Sequence, residues 1–148
     1  SLGRRMGEEL GRKIASEHAL PDVLIPVPLH PTRLRGRGYN QSCLIAEGVM
    51  RTTGVPVAGN YLRRVRHTSS QTHLSIEERA ANVSGAFSVP LDRSKCLQGR
   101  RILLVDDVLT TGATLRACAL VLRAAGAGSV DVGTVALAHF AGEFSAIP

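Results

Sequence analysis

The sequence predicts an α/β domain with a mostly parallel central sheet flanked by helices. Three observations carry this. Apolar runs of strand length alternate with longer stretches of helical periodicity, the pattern of βαβ units joined by right-handed crossovers. The run Ile102-Leu-Leu-Val105 has no polar interruption, as expected of a strand buried on both faces. Helix start and stop residues punctuate the periodic stretches where such a fold needs them. A length of 148 residues suits one domain spanning 1–148, and no internal repeat is visible.

Leu2, Met6, Leu10 and Ile14 recur every four residues between Arg4, Arg5, Glu8, Glu9, Arg12 and Lys13, which predicts an amphipathic helix within residues 1–20. The chain opens on Ser1 rather than Met, so a fragment of a longer protein is expected. The core is expected over residues 22–140. Asp22 to Pro28 reads as a short buried strand frayed by Pro26 and Pro28. In the loop that follows, Arg33, Arg35 and Arg37 crowd beside Gly36 and Gly38; such charges repel one another unless an anion or solvent lies among them.

Asn40 is placed to cap a helix that Gly54 and Pro56 stop after Thr53. Tyr61 to Val65 is a strand candidate leading into a polar, mobile stretch from Arg66 to Gln71. Ser75 and Glu78 form a capping box that starts a short helix toward Asn82. Ala86 to Val89 is a brief strand, and Pro90 to Gly99 a loop with a basic end. After the Ile102 strand, Leu115 to Ala125 is a helix ended by Gly126 and Gly128, and Val130 to Ala138 a last buried strand. The tail from His139 carries no assignment.

Hydrophobic content of 44% and charged content of 20% are ordinary for a soluble globular protein. The apolar runs 117–122 and 132–138 are too short to cross a membrane, and the amino terminus lacks a signal-peptide core. A cytoplasmic protein without membrane insertion is expected. Three cysteines, Cys43, Cys96 and Cys118, are widely spaced and match no metal or disulfide framework; Cys43 and Cys118 read as small core residues. The net charge is +6 and the pI about 10, and every basic residue except Lys13 and Lys95 is arginine. Arginine suits a polyanionic ligand or nucleic acid. Genomic base composition explains the same bias equally well.

The chemistry is expected at the carboxyl end of the Ile102 strand, because ligands of open α/β sheets collect in that crevice. Thr110, Thr111, Gly112, Ala113 and Thr114 supply backbone N–H groups and three hydroxyls around a phosphate at a helix start. Asp106 and Asp107 accept hydrogen bonds and repel anions, so hydroxyls suit them better. A phosphate beside a sugar diol, with a metal ion to offset charge, fits the whole stretch.

The thirteen residues from Ile102 to Thr114 resemble the phosphoribosyl-pyrophosphate (PRPP) signature of the type I phosphoribosyltransferases. The resemblance implies the type I phosphoribosyltransferase fold, with Asp106 and Asp107 as active-site acids on the ribose 2′- and 3′-hydroxyls and Thr110 to Thr114 as the 5′-phosphate loop. Residues 25–41 and 71–87 resemble the ComF branch of that family, known for a role in bacterial competence. By that resemblance Leu29, His30, Arg33, Arg35 and Arg37 lie where pyrophosphate binds. Arg66, Gln71, Thr72 and Arg79 fall on the flexible loop that closes over the ligand. Arg79 could instead pair with Glu77 or Glu78, and a surface or hydrogen-bonding role suits His30 and His73 better than general-base catalysis. ComF proteins usually carry an amino-terminal cysteine-rich zinc region, which this sequence does not show.

The expected cofactor is Mg²⁺ bound with PRPP, held by ligand oxygens and water rather than by protein ligands. The expected reaction is displacement of pyrophosphate from the ribose by a nitrogenous acceptor. Nothing marks an acceptor pocket: only Tyr39, Tyr61, Phe87, Phe140 and Phe144 could stack on a base, and none lies in the signature. The other expectation is a non-catalytic accessory protein of competence or DNA uptake, with a nucleotide, single-stranded DNA or a protein of the competence machinery as partner. The oligomeric state is not specified by the sequence.

Overall fold

The computed structural model describes residues 1–17, 19–29, 34–36, 38–65, 85–107, 112–135 and 139–143. Along the chain come α1 (Leu2–Glu17), β1 (Val23–Pro26), α2 (Gln41–Thr53), β2 (Arg63–Arg64), β3 (Phe87–Ser88), α3 (Leu91–Ser94), β4 (Arg101–Asp106), α4 (Ala113–Ala124), β5 (Ser129–Thr134) and β6 (His139–Glu143). The main sheet has the order β1-β4-β5-β6. Its first three strands are parallel, and β6 returns antiparallel to β5 with a register irregularity between Val132 and Gly133. β2 and β3 form a separate antiparallel pair, Arg63 opposite Ser88 and Arg64 opposite Phe87.

β4 is central and is buried from both sides. Ile102 and Leu104 face α4, where they pack with Leu115, Cys118, Ala119 and Leu122. Leu103 and Val105 face α1 and α2, against Leu10, Ile14, Ile45 and Val49. All four strand residues are at most 1% exposed. At about 1.5–3 kcal/mol per buried aliphatic side chain, this strand alone contributes a large share of the hydrophobic driving force.

The expected helix boundaries around α2 hold. Asn40 accepts a hydrogen bond from Ser42 N, and Gly54 closes the helix with φ 78°, donating its N–H to Met50 O. That left-handed conformation explains the glycine.

Several expectations change. The buried stripe of α1 is Gly3, Gly7, Leu10, Gly11 and Ile14, whereas Leu2 is 69% exposed. The reason is the close approach of α2: a Cβ on Gly7 would overlap the Ile45 carbonyl oxygen, and one on Gly48 the Arg4 carbonyl oxygen. Glycine is what that contact requires, so the apolar period misplaced the contact face. Arg4 Nε meets Glu47 Oε2 at 2.6 Å across the same pair of helices. Residues 90–99 are not all loop, since α3 and a 3₁₀ turn (Lys95–Leu97) bring Leu97 to full burial. β5 ends at Thr134 with Val135 in a turn, residues 136–138 of the expected strand lie outside the described residues, and the tail supplies β6. Cys118 is buried as expected, but Cys43 is only half-buried.

Candidate functional site

Because β1, β4 and β5 are parallel and in register, their carboxyl ends lie along one edge. Pro26 is level with Val105, and Asp106 with Thr134. The ladder extends one step further on β1, where Val27 N donates to Val105 O at 2.9 Å. Asp106 and Asp107 sit at this edge, both half-buried.

Asp106 Oδ1 accepts two hydrogen bonds, from Ser42 Oγ at 2.9 Å and from Asp107 N at 2.9 Å. Burial nevertheless pushes its carboxyl up to about 7, with the neighbouring Asp107 carboxylate adding to the rise and the two donors opposing it. Desolvation wins because two hydrogen bonds do not replace the hydration of an ionised carboxylate. The Cys118 thiol is also pushed up, first by burial and then by Asp106, while Arg64 opposes the shift. A buried guanidinium therefore acts on the same region as the acids. Arg64 is 7% exposed, and its Cζ lies 5.1 Å from the Phe87 ring centroid, a cation–π distance.

α4 begins just beyond. Gly112 is its cap residue at φ 82°, a left-handed conformation that an L side chain rarely adopts, and Arg116 N closes the first turn on Gly112 O at 2.8 Å. A glycine here supplies no capping side chain, and the amino end of the twelve-residue helix carries partial positive charge. Ala113 and Thr114 occupy the first turn, half-buried. The acids thus end the central strand and Gly112 starts the next described helix.

At α2's amino terminus, Leu29 helps line a cavity of about 360 Å³ with Leu34, Asn40, Cys43, Arg63 and Arg64. Arg35 is exposed within a single helical turn at 34–36. His30, Arg33, Arg37, Arg66, Gln71, Thr72, His73, Arg79, Thr110 and Thr111 lie outside the described residues, as do the capping-box helix and the closing loop. Those expectations stay where the sequence left them. The β2–β3 pair stands at the two ends of the 66–84 segment.

Residues 40–143 match the phosphoribosyl transferase domain family. The chain belongs to this family. Competence protein F of Haemophilus influenzae is 40% identical over 119 residues, which are 80% of this chain and 52% of that protein. DNA utilization protein YhgH of Salmonella typhi is 38% identical over 113 residues, 76% of this chain and 48% of that protein. The chain spans about half the length of these curated relatives. They bear out the ComF-type resemblance of residues 25–41 and 71–87. Among solved structures, glutamine PRPP amidotransferase from B. subtilis superimposes with a TM-score of 0.58 at 26% identity, covering 89% of this chain and 26% of that one. The type I phosphoribosyltransferase fold with its mostly parallel sheet is therefore established for this phosphoribosyltransferase domain.

Three residues around the site escaped the sequence reading. Ser42 reaches Asp106 across 64 positions of sequence, and no local pattern signals such a contact. Arg64 lies in the strand candidate 61–65, and nothing in that run marks its side chain as buried, which it is. Thr134 is fully buried beside Asp106, and its hydroxyl has no hydrogen-bond partner. Among the described residues no helix is long and apolar enough to cross a membrane.

Proposed function

We propose that this phosphoribosyltransferase domain binds PRPP with Mg²⁺ and transfers its phosphoribosyl group to a nitrogenous acceptor, releasing pyrophosphate. The observation that supports it most is the placement of Asp106 and Asp107 at the end of the central strand, facing the same crevice edge from which α4 starts at Gly112. Carboxylates there accept from the ribose 2′- and 3′-hydroxyls, while the 110–114 segment and the helix start receive the 5′-phosphate. The acceptor nitrogen forms its bond to C1 of the ribose as the C1–O bond to pyrophosphate breaks, and the electron pair leaves on pyrophosphate.

The chain's own part in this is binding and orientation. Fixing the diol and the phosphate sets C1 in place for an in-line approach, which supplies rate by removing positional freedom. Arg33, Arg35 and Arg37 are assigned to the pyrophosphate and Arg66, Gln71, Thr72 and Arg79 to a closing segment that excludes water. Among the described residues no group of three or more His, Cys, Asp or Glu gathers in a metal-binding arrangement. On this reading the ion would be held by ligand oxygens and water. Mg²⁺, when bound with the ligand, would offset the charge of the departing pyrophosphate. Free cysteines Cys43, Cys96 and Cys118 go with a reducing, cytoplasmic setting.

The names of the relatives, competence protein F and DNA utilization protein, favour a second reading in which the domain serves DNA uptake without catalysis, through single-stranded DNA or a competence protein. Calorimetric titration of PRPP with Mg²⁺ and a pyrophosphate-release assay over a panel of bases separate the two. The first reading expects saturable PRPP binding and release with at least one base. Absence of PRPP binding at millimolar concentration, with DNA affinity that falls steeply with salt, would leave only the second.

A further inference from the structure

We propose that Ser42 is a positioning residue for Asp106, held in place by Asn40, so that the start of α2 orients the acid that meets the ribose diol. The proposal rests on the reading of Asp106 as a diol-binding residue. Its basis is a continuous run of hydrogen bonds. Asn40 Nδ2 donates to Val27 O at 3.1 Å, just beyond β1. Asn40 Oδ1 accepts from Ser42 N at 3.0 Å, and Ser42 Oγ donates to Asp106 Oδ1 at 2.9 Å. One amide side chain thus ties the residue after β1 to the start of α2 and places the serine that holds the acid.

The arrangement answers a specific mechanical need. The last torsion of an aspartate is soft and roughly two-fold, so a lone carboxylate at a strand end has no fixed plane. Here Oδ1 is engaged twice, by Ser42 Oγ and by Asp107 N. Two donors on one oxygen define the carboxylate plane and leave the diol to the other oxygen. Ser42 is 4% exposed, so its hydroxyl is desolvated and depends on this bond. Ser42 stands in the first turn of α2, and its hydroxyl reaches across to the end of β4.

Among the described residues, the groups that act on Asp106 are few. Asp107 follows it just past the end of β4, Ser42 reaches it from α2, and the Cys118 thiol on α4 feels both it and Arg64 of β2. The register neighbour on β5 is the neutral Thr134. The Asp107 carboxylate disfavours a charged Asp106, Asp107 N and Ser42 Oγ favour it by donating to Oδ1, and Ser42 is the donor contributed by α2. Removing Ser42's hydroxyl therefore acts on both the orientation and the ionisation of the acid.

The test uses the intact chain. Wild type, Ser42→Ala and Ser42→Thr are titrated calorimetrically with ribose 5-phosphate and, separately, with inorganic phosphate between pH 6 and 9, and the Asp106 carboxyl carbon is followed by NMR over the same range. Ser42→Ala is expected to weaken ribose 5-phosphate by about 5- to 30-fold and to leave inorganic phosphate unchanged. It is expected to move the Asp106 midpoint upward by about half a pH unit or more, and Ser42→Thr, which keeps the hydroxyl, to return both readings toward wild type. Equal ribose affinity with an unmoved midpoint in Ser42→Ala overturns the proposal. So does an equal loss for ribose 5-phosphate and inorganic phosphate in both variants, which marks a packing defect. If wild type binds no ribose 5-phosphate, the functional reading of the site fails; the positioning then stands or falls on whether the Asp106 midpoint moves in Ser42→Ala.

Discussion

At the amino end of β4, Arg101 is exposed and tied to the chain just before β1. Its N–H donates to Asp22 Oδ2 at 2.8 Å, its carbonyl accepts from Asp22 N at 2.8 Å, and its guanidinium donates to the Leu20 carbonyl. At the carboxyl end of the same strand, Asp106 is half-buried beside a second carboxylate, with one oxygen served by two donors and its carboxyl pushed up to about 7. Both ends carry polar groups on one apolar strand. The first end has its charge in water and its backbone satisfied, so it stabilises the fold at little desolvation cost. The second keeps an acid where hydration is thin, an arrangement that favours a ligand hydroxyl over the empty state.

The sharpest way to break that contrast is to remove the charge and keep the shape. A folded-state carboxyl raised above the usual range holds a proton that the unfolded chain has released between about pH 4 and 7, so its contribution to stability falls as pH rises through that window. Asp106→Asn is therefore expected to be more stable than wild type at pH 8 by about 2–4 kcal/mol, with the difference shrinking toward zero near pH 4. Denaturant melts of both proteins at the two pH values check this; a variant less stable than wild type at pH 8 would show that the charge is not the costly feature.

A smaller effect of the same kind is expected next door. Thr134 is fully buried with an unpartnered hydroxyl, and Thr134→Val replaces that hydroxyl by a methyl of the same shape. The free protein should gain about 1 kcal/mol, read as a raised denaturant midpoint at constant m-value. A loss of stability would mean that the hydroxyl contributes to the fold. At the other end, Asp22→Ala should cost about 1 kcal/mol at most, since its bonds are exposed, and should leave ligand affinity untouched. Weakened PRPP binding in Asp22→Ala would erase the distinction between the two ends.

The same contrast explains what could be read from the chain alone. α2 was legible at both ends because Asn40 and Gly54 act within a turn of where they stand. β4 was legible because Ile102 to Val105 are buried on both faces and so carry no polar interruption. The acids and Gly112 follow that strand directly, which made the local half of the site visible. What escaped depends on partners far away in sequence. The glycine face of α1 exists only because α2 comes close enough to exclude a Cβ, and Leu2 was misassigned to the contact for that reason. Ser42 matters through Asp106, and Arg64 through Phe87 and the cluster around Cys118. β6 pairs antiparallel at the sheet edge, where it answers to β5 rather than to any period of its own.

The claim on which the rest depends is that Asp106 meets a ribose hydroxyl. Calorimetric titration of PRPP with Mg²⁺ into wild type and Asp106→Ala measures it directly, with inorganic phosphate as the ligand that lacks a diol. The account predicts that Asp106→Ala binds PRPP about 10- to 150-fold more weakly, as expected from losing roughly 1.5–3 kcal/mol of charge-assisted hydrogen bonding, and binds inorganic phosphate as wild type does. Unchanged PRPP affinity in a folded Asp106→Ala protein would contradict it.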